Sequence, residues 1–208
     1  MRQARSRSRP SGLEWASALC SSWVELRGQD PAIRAGLARI GGERVIVVAM
    51  DRYADGAGAA RPGPAAERDG IAAEIAATLR AMARLRTPSV AICVGEGGSG
   101  GAMALGHADR LFMLPGSVFS VISPEGAAAI LYRDASRADE LAGPLRLTSA
   151  ELTGLGIADG VLPELAANRA GGLRRAVTGA FGTARPGDRD RRLAKATRSF
   201  IAAHPVLT

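Results

Sequence analysis

The fold of this chain is decided by the stretch Gly95-Glu96-Gly97-Gly98-Ser99-Gly100-Gly101. It follows the short apolar run of residues 89–94, whose β-branched side chains favour a buried strand. It precedes residues 102–108, which are rich in alanine and predict a short helix. The glycines therefore occupy a turn between a strand and a helix, where glycine permits unusual dihedrals and close approach of another group to the main chain.

The start of the predicted helix offers unpaired hydrogen-bond donors. The first amide groups of a helix have no partner within the helix, and the aligned peptide dipoles add roughly half a positive charge there. Such amides stabilise an anion or a polarised carbonyl group. Residues 95–101 therefore predict an oxyanion site.

Other motifs overlap the same loop. Gly95, Gly97 and Gly100 fit the G-x-G-x-x-G pattern of dinucleotide sites, but no strand with an acidic end follows about twenty residues later. A phosphate-binding P-loop needs a lysine after the glycines, whereas the only lysine is Lys195. A glycine-rich turn without any chemistry is a further interpretation of the loop taken alone.

A nucleophilic serine is another possibility for this loop. Gly97, Ser99 and Gly101 fit the G-x-S-x-G nucleophile elbow, whose serine needs a histidine and an acid beside it. His107 lies about two turns further along the same predicted helix, and His204 lies among the last five residues. The chain has no other histidine, so the sequence disfavours a catalytic triad.

The residues after the loop extend the pattern over half the chain. The segments that carry it are Gly95-Glu96-Gly97-Gly98-Ser99-Gly100-Gly101-Ala102, Ser120-Val121-Ile122-Ser123-Pro124-Glu125-Gly126 and Leu155-Gly156-Ile157-Ala158-Asp159-Gly160-Val161-Leu162-Pro163-Glu164. In order and spacing, residues 62–164 closely resemble the carboxyltransferase α subunit of bacterial acetyl-CoA carboxylase. A weaker match at residues 37–48 extends the resemblance towards the amino terminus.

This resemblance implies an α/β fold of the ClpP/crotonase type, in which β-β-α units form a spiral with peripheral C-terminal helices. It implies transfer of a carboxyl group from carboxybiotin, held on a separate biotin carboxyl carrier protein, to acetyl-CoA or a related acyl-CoA, giving malonyl-CoA. The active site of the family lies between an α-type and a β-type subunit, which implies a hetero-oligomer. No metal is implied in this chain, because the family's zinc ribbon belongs to the β subunit.

The resemblance also assigns site residues. Gly97 and Gly98 would be the backbone donors of an oxyanion hole that polarises the ureido carbonyl of biotin. Loss of one such donor typically costs roughly 2.7–4 kcal/mol of transition-state stabilisation. The expected substrate-binding residues are Gly95, Gly100, Gly101, Ser123, Pro124, Glu125 and Gly126. The family's reaction passes through an enolate-like anion of biotin and an enolate of the acyl-CoA. Both need their negative oxygens held more than they need a side-chain base, so the scarcity of histidine fits this chemistry.

Ser123-Pro124-Glu125 also has a structural interpretation of its own. Serine at the N-cap, proline at the first helical position and an acid in the first turn are typical of a plain helix start. The apolar residues 118–122 run directly into it and place this helix start beside the first one. In the family both helix starts form the active-site wall, and Glu125 is not expected to be catalytic.

The remaining pattern predicts one domain, residues 13–208, after a disordered basic arm at residues 1–12. Helices are expected at residues 13–26, 65–85, 150–155, 171–180 and 188–203, and strands at residues 33–40, 43–50, 110–114, 117–122 and 157–162. Trp15, Leu19 and Trp23 recur every four residues, so their face is expected to be buried. Residues 51–64 are shorter than the corresponding part of the family, which carries a further helix and strand there.

Composition and charge argue against other classes of protein. Basic clusters near both ends and a formal net charge of +7 raise nucleic acid as a partner. No binding-fold signature or row of aromatic side chains accompanies them, so we expect a solvated charged surface instead. No apolar run is long enough for a membrane span and the start lacks a signal core. A cytoplasmic protein with reduced Cys20 and Cys93 is expected.

Two other functions stay open at this point. One is a biotin-independent decarboxylase of a malonyl thioester, which would use the same oxyanion chemistry. The other is a non-catalytic subunit that scaffolds a complex. Biotin dependence separates the decarboxylase from the carboxyltransferase, and loss of activity on mutation of Gly97 and Gly98 separates both enzymes from the scaffold.

Overall fold

The computed structural model describes residues 1–28, 30–54, 68, 70–162 and 169–203. The chain begins with helix α1 (Gly12–Leu19) and an antiparallel sheet of β1 (Ser22–Leu26), β2 (Ile33–Ile40) and β3 (Glu43–Met50). The last two strands form the predicted hairpin. In its turn, Gly41 and Gly42 have φ of 60° and 91°, which glycine adopts without strain.

The predicted helix over residues 13–26 is wrong in its second half. α1 ends at Leu19, and Trp23 lies in β1, which pairs with β2. Gly36 of β2 makes room for the indole ring, since a Cβ there would lie 2.6 Å from Trp23 Cε2. The predicted buried face is confirmed for Trp15 and Leu19, which are each 6% exposed, but not for Trp23, which is only partly buried. Trp23 lies in a strand because it contacts the neighbouring strand β2, and the local sequence pattern does not show this contact.

Two consecutive β-β-α units follow helix α2 (Ile71–Arg84). The first comprises β4 (Val90–Cys93), β5 (Glu96–Gly98) and α3 (Ser99–Gly106), and the second comprises β6 (Arg110–Met113), β7 (Val118–Ser120) and α4 (Pro124–Tyr132). β4 pairs with β6 and β5 with β7, both in parallel. Each strand thus pairs with its counterpart in the next unit, as the predicted spiral requires. The predicted start of α2, residues 65–67, and most of residues 51–64 lie outside the described residues.

The rest of the described chain is mostly helical. It contains a 3₁₀ turn (Ala135–Arg137), α5 (Ala138–Ala142), α6 (Ser149–Gly154), β8 (Gly160–Val161), α7 (Arg169–Thr183) and α8 (Asp188–Ala203). β8 pairs in parallel with β6 and is shorter than the predicted strand, while α8 has the predicted bounds. The helices at residues 135–142 were not predicted. Among the described residues, none of the helices combines the length and apolar character that a bilayer crossing requires.

Two apolar clusters hold the sheets in place. The first joins α1, β2 and α7 through Trp15, Leu19, Ile40, Leu114, Leu162, Leu173 and Val177. The second joins β6 to the end of α6 through Leu111, Met113, Leu152 and Ala158. Full burial of one large apolar side chain contributes roughly 1.5–3 kcal/mol. The partly buried Val94 packs against the first cluster, and this contact fixes the point from which the glycine-rich loop emerges.

The arm at residues 1–12 differs from its predicted disorder. Ala4 is fully buried, and the side chain of Arg9 is almost so. The Arg9 guanidinium donates hydrogen bonds to the carbonyl oxygens of Val94 and Pro115, which follow the ends of β4 and β6. Composition predicts a solvated arm because it does not show these long-range partners.

Candidate active site

The glycine-rich loop folds into a short strand followed at once by a helix. Glu96, Gly97 and Gly98 form β5, and α3 begins at Ser99. Gly98 is the N-cap of α3 in an extended conformation (φ −119°, ψ 155°), and no side chain caps the helix. The start of α3 therefore presents main-chain amides without a side-chain partner, as the sequence predicts.

The two predicted donors face different sides of β5. Val118 N–H donates to the Gly95 carbonyl at 2.9 Å, and the register of β5 on β7 places Gly97 opposite Phe119. Because a parallel ladder engages alternate residues of a strand, the Gly97 N–H continues this ladder and the Gly98 N–H points away from it. A Cβ on Gly97 would lie 2.9 Å from Phe119 Cδ2, whereas nothing lies within 4 Å of one on Gly98. The geometry favours Gly98 as the open donor.

Ser99 contributes a hydroxyl that the sequence analysis considered only as a nucleophile. Its φ of 62° lies in the left-handed region, which is uncommon for a residue with a side chain. The side chain is exposed, and no hydrogen-bond partner for its hydroxyl exists among the described residues. His107 lies at the far end of α3, and His204 is outside the described residues. The described residues thus bring no histidine to Ser99, and its hydroxyl is available as a donor.

The glycines of α3 position the helix by letting neighbours approach. A Cβ on Gly100 would lie 3.0 Å from Ile75 Cγ2, so glycine lets α2 pack closely against α3. A Cβ on Gly106 would lie 2.8 Å from Phe119 Cζ, so the other end of α3 packs against β7. Nothing lies within 4 Å of a Cβ on Gly101. The absence of side chains at Gly100 and Gly106 thus lets α3 pack closely against α2 and β7, and this packing orients the helix.

The second predicted helix start has the expected cap. Ser123 Oγ accepts a hydrogen bond from the Gly126 N–H at 3.1 Å, and Pro124 occupies the first turn of α4, where it is buried. Glu125 projects from the same turn with its side chain 37% exposed. Because β7 leads into α4 and pairs with β5, this start lies beside the glycine-rich loop.

An arginine from the amino-terminal arm joins the two helix starts. Arg5 Nε and Nη2 donate to the Glu96 carboxylate at 2.8 and 2.7 Å. Its Nη1 donates to Glu125 Oε1 at 2.6 Å. The hydrogen bond from Arg5 is the main reason that the pKa of Glu125 falls to about 2. Nothing in the sequence distinguishes Arg5 from the other arginines of the arm, so sequence reasoning missed it.

Gly95 lies beneath the arm rather than in open space. It is buried, and a Cβ on it would lie 3.3 Å from the Ala4 carbonyl oxygen. The neighbouring Cys93 thiol donates to the carbonyl oxygens of Gly95 and Val118 at 3.5 and 3.3 Å, and burial raises its pKa. The observed role of Gly95 is to let the arm approach the loop, and its contact with substrate stays a prediction.

The site offers hydrogen-bond donors instead of a base. The Gly98 amide and the Ser99 hydroxyl are adjacent and exposed, while Glu125 is ionised and engaged by Arg5. In the part of the chain that the structure describes, no group of three or more His, Cys, Asp or Glu side chains is arranged to hold a metal ion. Donors placed in this way can stabilise negative charge that develops on an oxygen atom.

Comparison with known proteins places the chain in a family. The profile described as acetyl co-enzyme A carboxylase carboxyltransferase-like matches residues 50–180, more than half of the chain. The chain belongs to this family.

Two relatives illustrate the similarity. The acetyl-coenzyme A carboxylase carboxyl transferase subunit alpha of Prochlorococcus marinus (strain NATL2A) is 38% identical over 204 residues, which cover 77% of this chain and 62% of that protein. The carboxyl transferase subunits beta/alpha of Parafrankia sp. (strain EAN1pec) are 37% identical over 241 residues, which cover 90% of this chain and 39% of that protein. The chain spans less than two thirds of the length of these relatives.

Solved structures confirm the fold. Transcarboxylase 12S superposes with a TM-score of 0.68 at 18% identity, covering 85% of this chain and 42% of that chain. The Pseudomonas malonate decarboxylase hetero-dimer superposes with a TM-score of 0.65 at 21% identity, covering 92% of this chain and 98% of that chain. The predicted crotonase-type α/β fold of this family member is therefore confirmed.

Proposed function

We propose that this chain is the α-type subunit of a biotin-dependent acyl-CoA carboxylase, which transfers a carboxyl group from carboxybiotin to acetyl-CoA or a related acyl-CoA. Membership of the family and the names of its relatives support this reaction class. The observation that carries the proposal is the Gly98 amide at the uncapped start of α3, because its N–H points away from the ladder of β5 and β7 and the residue is exposed.

Biotin, attached to a separate carrier protein, would supply the carboxyl group. Its ureido oxygen is a hydrogen-bond acceptor, so it needs hydrogen-bond donors and no side chain that exchanges a proton with it. The Gly98 N–H and the Ser99 hydroxyl are donors of this kind, and the dipole at the start of α3 favours negative charge. The residues present therefore fit the group, and the task proposed for this chain is to hold charge on that oxygen while a partner binds the acyl-CoA.

The β-type partner is proposed to contact α4 and the residues just before it. Val121, Ile130 and Leu131 are 65%, 72% and 66% exposed. Exposed apolar side chains that gather on one element are typical of a protein–protein contact. Because α4 starts beside the Gly98 donor, a partner at this place would complete the site. The names of the beta/alpha relative and of the hetero-dimeric neighbour support an arrangement of two parts.

Co-expression with a candidate β-type subunit tests this proposal. The purified complex would be assayed in the reverse direction, with malonyl-CoA as carboxyl donor and biocytin as acceptor. We expect a stable complex and turnover that requires biocytin. Decarboxylation of malonyl-CoA at the same rate without biocytin would indicate a biotin-independent decarboxylase instead. A stable complex without turnover would indicate a non-catalytic scaffold subunit.

A further inference from the structure

A single guanidinium pairs with two carboxylates, one that is two residues from the proposed oxyanion donor in β5 and one in the first turn of α4. Glu96 and Gly98 are two residues apart in β5, so their side-chain directions lie on the same face of the strand. Glu125 reaches the same guanidinium from the first turn of α4. Arg5 donates to the two carboxylates at distances between 2.6 and 3.2 Å. The carboxylate on the open face of β5 is thus neutralised from the arm.

The arm holds Arg5 in place independently of these carboxylates. Ala4 is fully buried, and the Arg52 guanidinium donates to the carbonyl oxygens of Ala4 and Ser6 on either side of Arg5. The Tyr53 hydroxyl donates to the Arg9 carbonyl at 2.8 Å. Ion pairs between freely moving surface side chains contribute little to stability. A guanidinium group on an anchored backbone loses less conformational freedom when it pairs. The contact is therefore built into the fold.

We propose that Arg5 is a positioning residue of the oxyanion site. Its guanidinium offsets one of the two negative charges of Glu96 and Glu125 and ties β5 to the start of α4. The inference rests on the proposed function, because it requires negative charge to develop at Gly98. Without Arg5, two carboxylates in a partly buried region would repel that charge, and water screens charges less in such a region than in bulk solution.

The test compares Arg5→Gln with Arg2→Gln in the full chain, in complex with the β-type partner. Arg2 is a matched control, since it lies in the same arm and its side chain is exposed without a partner among the described residues. We expect Arg5→Gln to lower kcat for carboxyl transfer roughly ten- to hundredfold. KM for the acyl-CoA should stay within about twofold, because binding and chemistry are separable. Arg2→Gln should match the wild type.

A charge-removal variant separates electrostatics from simple tethering. Adding Glu96→Gln and Glu125→Gln to Arg5→Gln removes the charges that Arg5 offsets, so most of the lost kcat should return. Arg5→Lys keeps the charge without the bidentate fork, so its kcat should lie between Arg5→Gln and the wild type.

Three results overturn the inference. Arg5→Gln could match or exceed the wild-type kcat, which would make the arm dispensable or inhibitory. The triple variant could be as slow as Arg5→Gln, which would reduce Arg5 to a tether. An inactive wild-type complex would instead overturn the proposed function and the inference with it. Because the first two results are read against an active wild-type complex, the two failures are distinguishable.

Discussion

Gly97 and Gly98 are neighbours in the sequence but perform different tasks in the structure. Gly97 faces Phe119 and Cys93, so its missing side chain permits close packing. Gly98 faces open space, so its missing side chain leaves the main chain accessible. Ser99, next to them, takes a left-handed conformation that turns the strand into the helix. Gly97 therefore has a packing role, while the proposed function assigns the chemical role to Gly98.

Alanine substitution at the two glycines distinguishes these tasks. A Cβ on Gly97 would lie 2.9 Å from Phe119 Cδ2 and 3.0 Å from Cys93 Sγ, so Gly97→Ala forces these side chains to shift. We expect its free energy of unfolding to fall by about 1–3 kcal/mol. Gly98→Ala should change it by less than about 0.5 kcal/mol. Urea unfolding followed by circular dichroism measures both, and equal effects would contradict the proposed facing of the loop.

At the scale of elements, the site depends on two helix starts that are held in different ways. α3 has no side-chain cap and is positioned by close packing of its glycines. α4 is capped by Ser123 and begins with a proline. The start of α3 therefore keeps amides without a side-chain partner, which the proposed function assigns to a ligand. The start of α4 is stabilised by its own cap.

Loss of the cap tests whether the start of α4 matters to the site. Ser123→Ala removes the hydroxyl that accepts from Gly126, and Thr148→Ala removes the corresponding cap of α6. Each should lower the free energy of unfolding by about 1 kcal/mol. Only Ser123→Ala should also lower kcat/KM for carboxyl transfer, because Thr148 pairs with Val118 on the edge of β7 that faces away from β5. Equal kinetic effects of the two variants would show that stability alone governs activity.

Sequence patterns predicted most elements but misplaced those that depend on distant contacts. The hairpin of β2 and β3 and the start of α4 follow from local signals, namely a Gly-Gly turn and a Ser-Pro-Glu cap. β1 was misread as helix because Trp23 continues the spacing of Trp15 and Leu19. Its pairing with β2 and its contact with Gly36 are not visible in a local window. The spacing of apolar residues therefore predicts a helix correctly only where the segment does not pair with a neighbouring strand.

In the molecule as a whole, a buried ion pair ties α8 to the sheet of β4, β6 and β8. Asp109 is fully buried and pairs with Arg189 at 3.2 Å. Its carboxylate also accepts from the Ser89 N–H at 3.0 Å and the Gly187 N–H at 2.9 Å. Asp109 immediately precedes β6, so this network joins the start of that strand to the start of α8. The peripheral helix is thereby fixed against the spiral.

Removing one partner of this pair should destabilise the entire fold. Asp109→Asn leaves the guanidinium of Arg189 buried without a counter-charge, and we expect the free energy of unfolding to fall by about 3–5 kcal/mol. Arg191→Gln is the control, because Arg191 is 69% exposed in its pair with Asp188. That change should have an effect below about 1 kcal/mol. Urea unfolding compares the two variants, and similar effects would contradict the structural role of the pair.

The family and the glycine-rich loop could be recognised from the sequence, but the contribution of the arm could not. Four arginines at positions 2, 5, 7 and 9 look equivalent in composition. Only the fold shows that Arg5 meets carboxylates 91 and 120 positions away. Ser99 had a local signal in its G-x-S-x-G pattern, but the pattern does not show its left-handed backbone or its exposed hydroxyl. The features that could not be predicted are the long-range ion pairs of Arg5 and the left-handed backbone conformation of Ser99.

The most direct measurement compares Gly98→Pro with Gly98→Ala in biotin-dependent carboxyl transfer from malonyl-CoA to biocytin, with each variant in complex with the β-type partner. Proline removes the amide donor, whereas alanine keeps it. We expect Gly98→Pro to lower kcat by a further factor of about 10²–10³ relative to Gly98→Ala, while both variants still bind the partner. Equal turnover of the two variants would contradict the claim that the Gly98 amide holds the developing oxyanion.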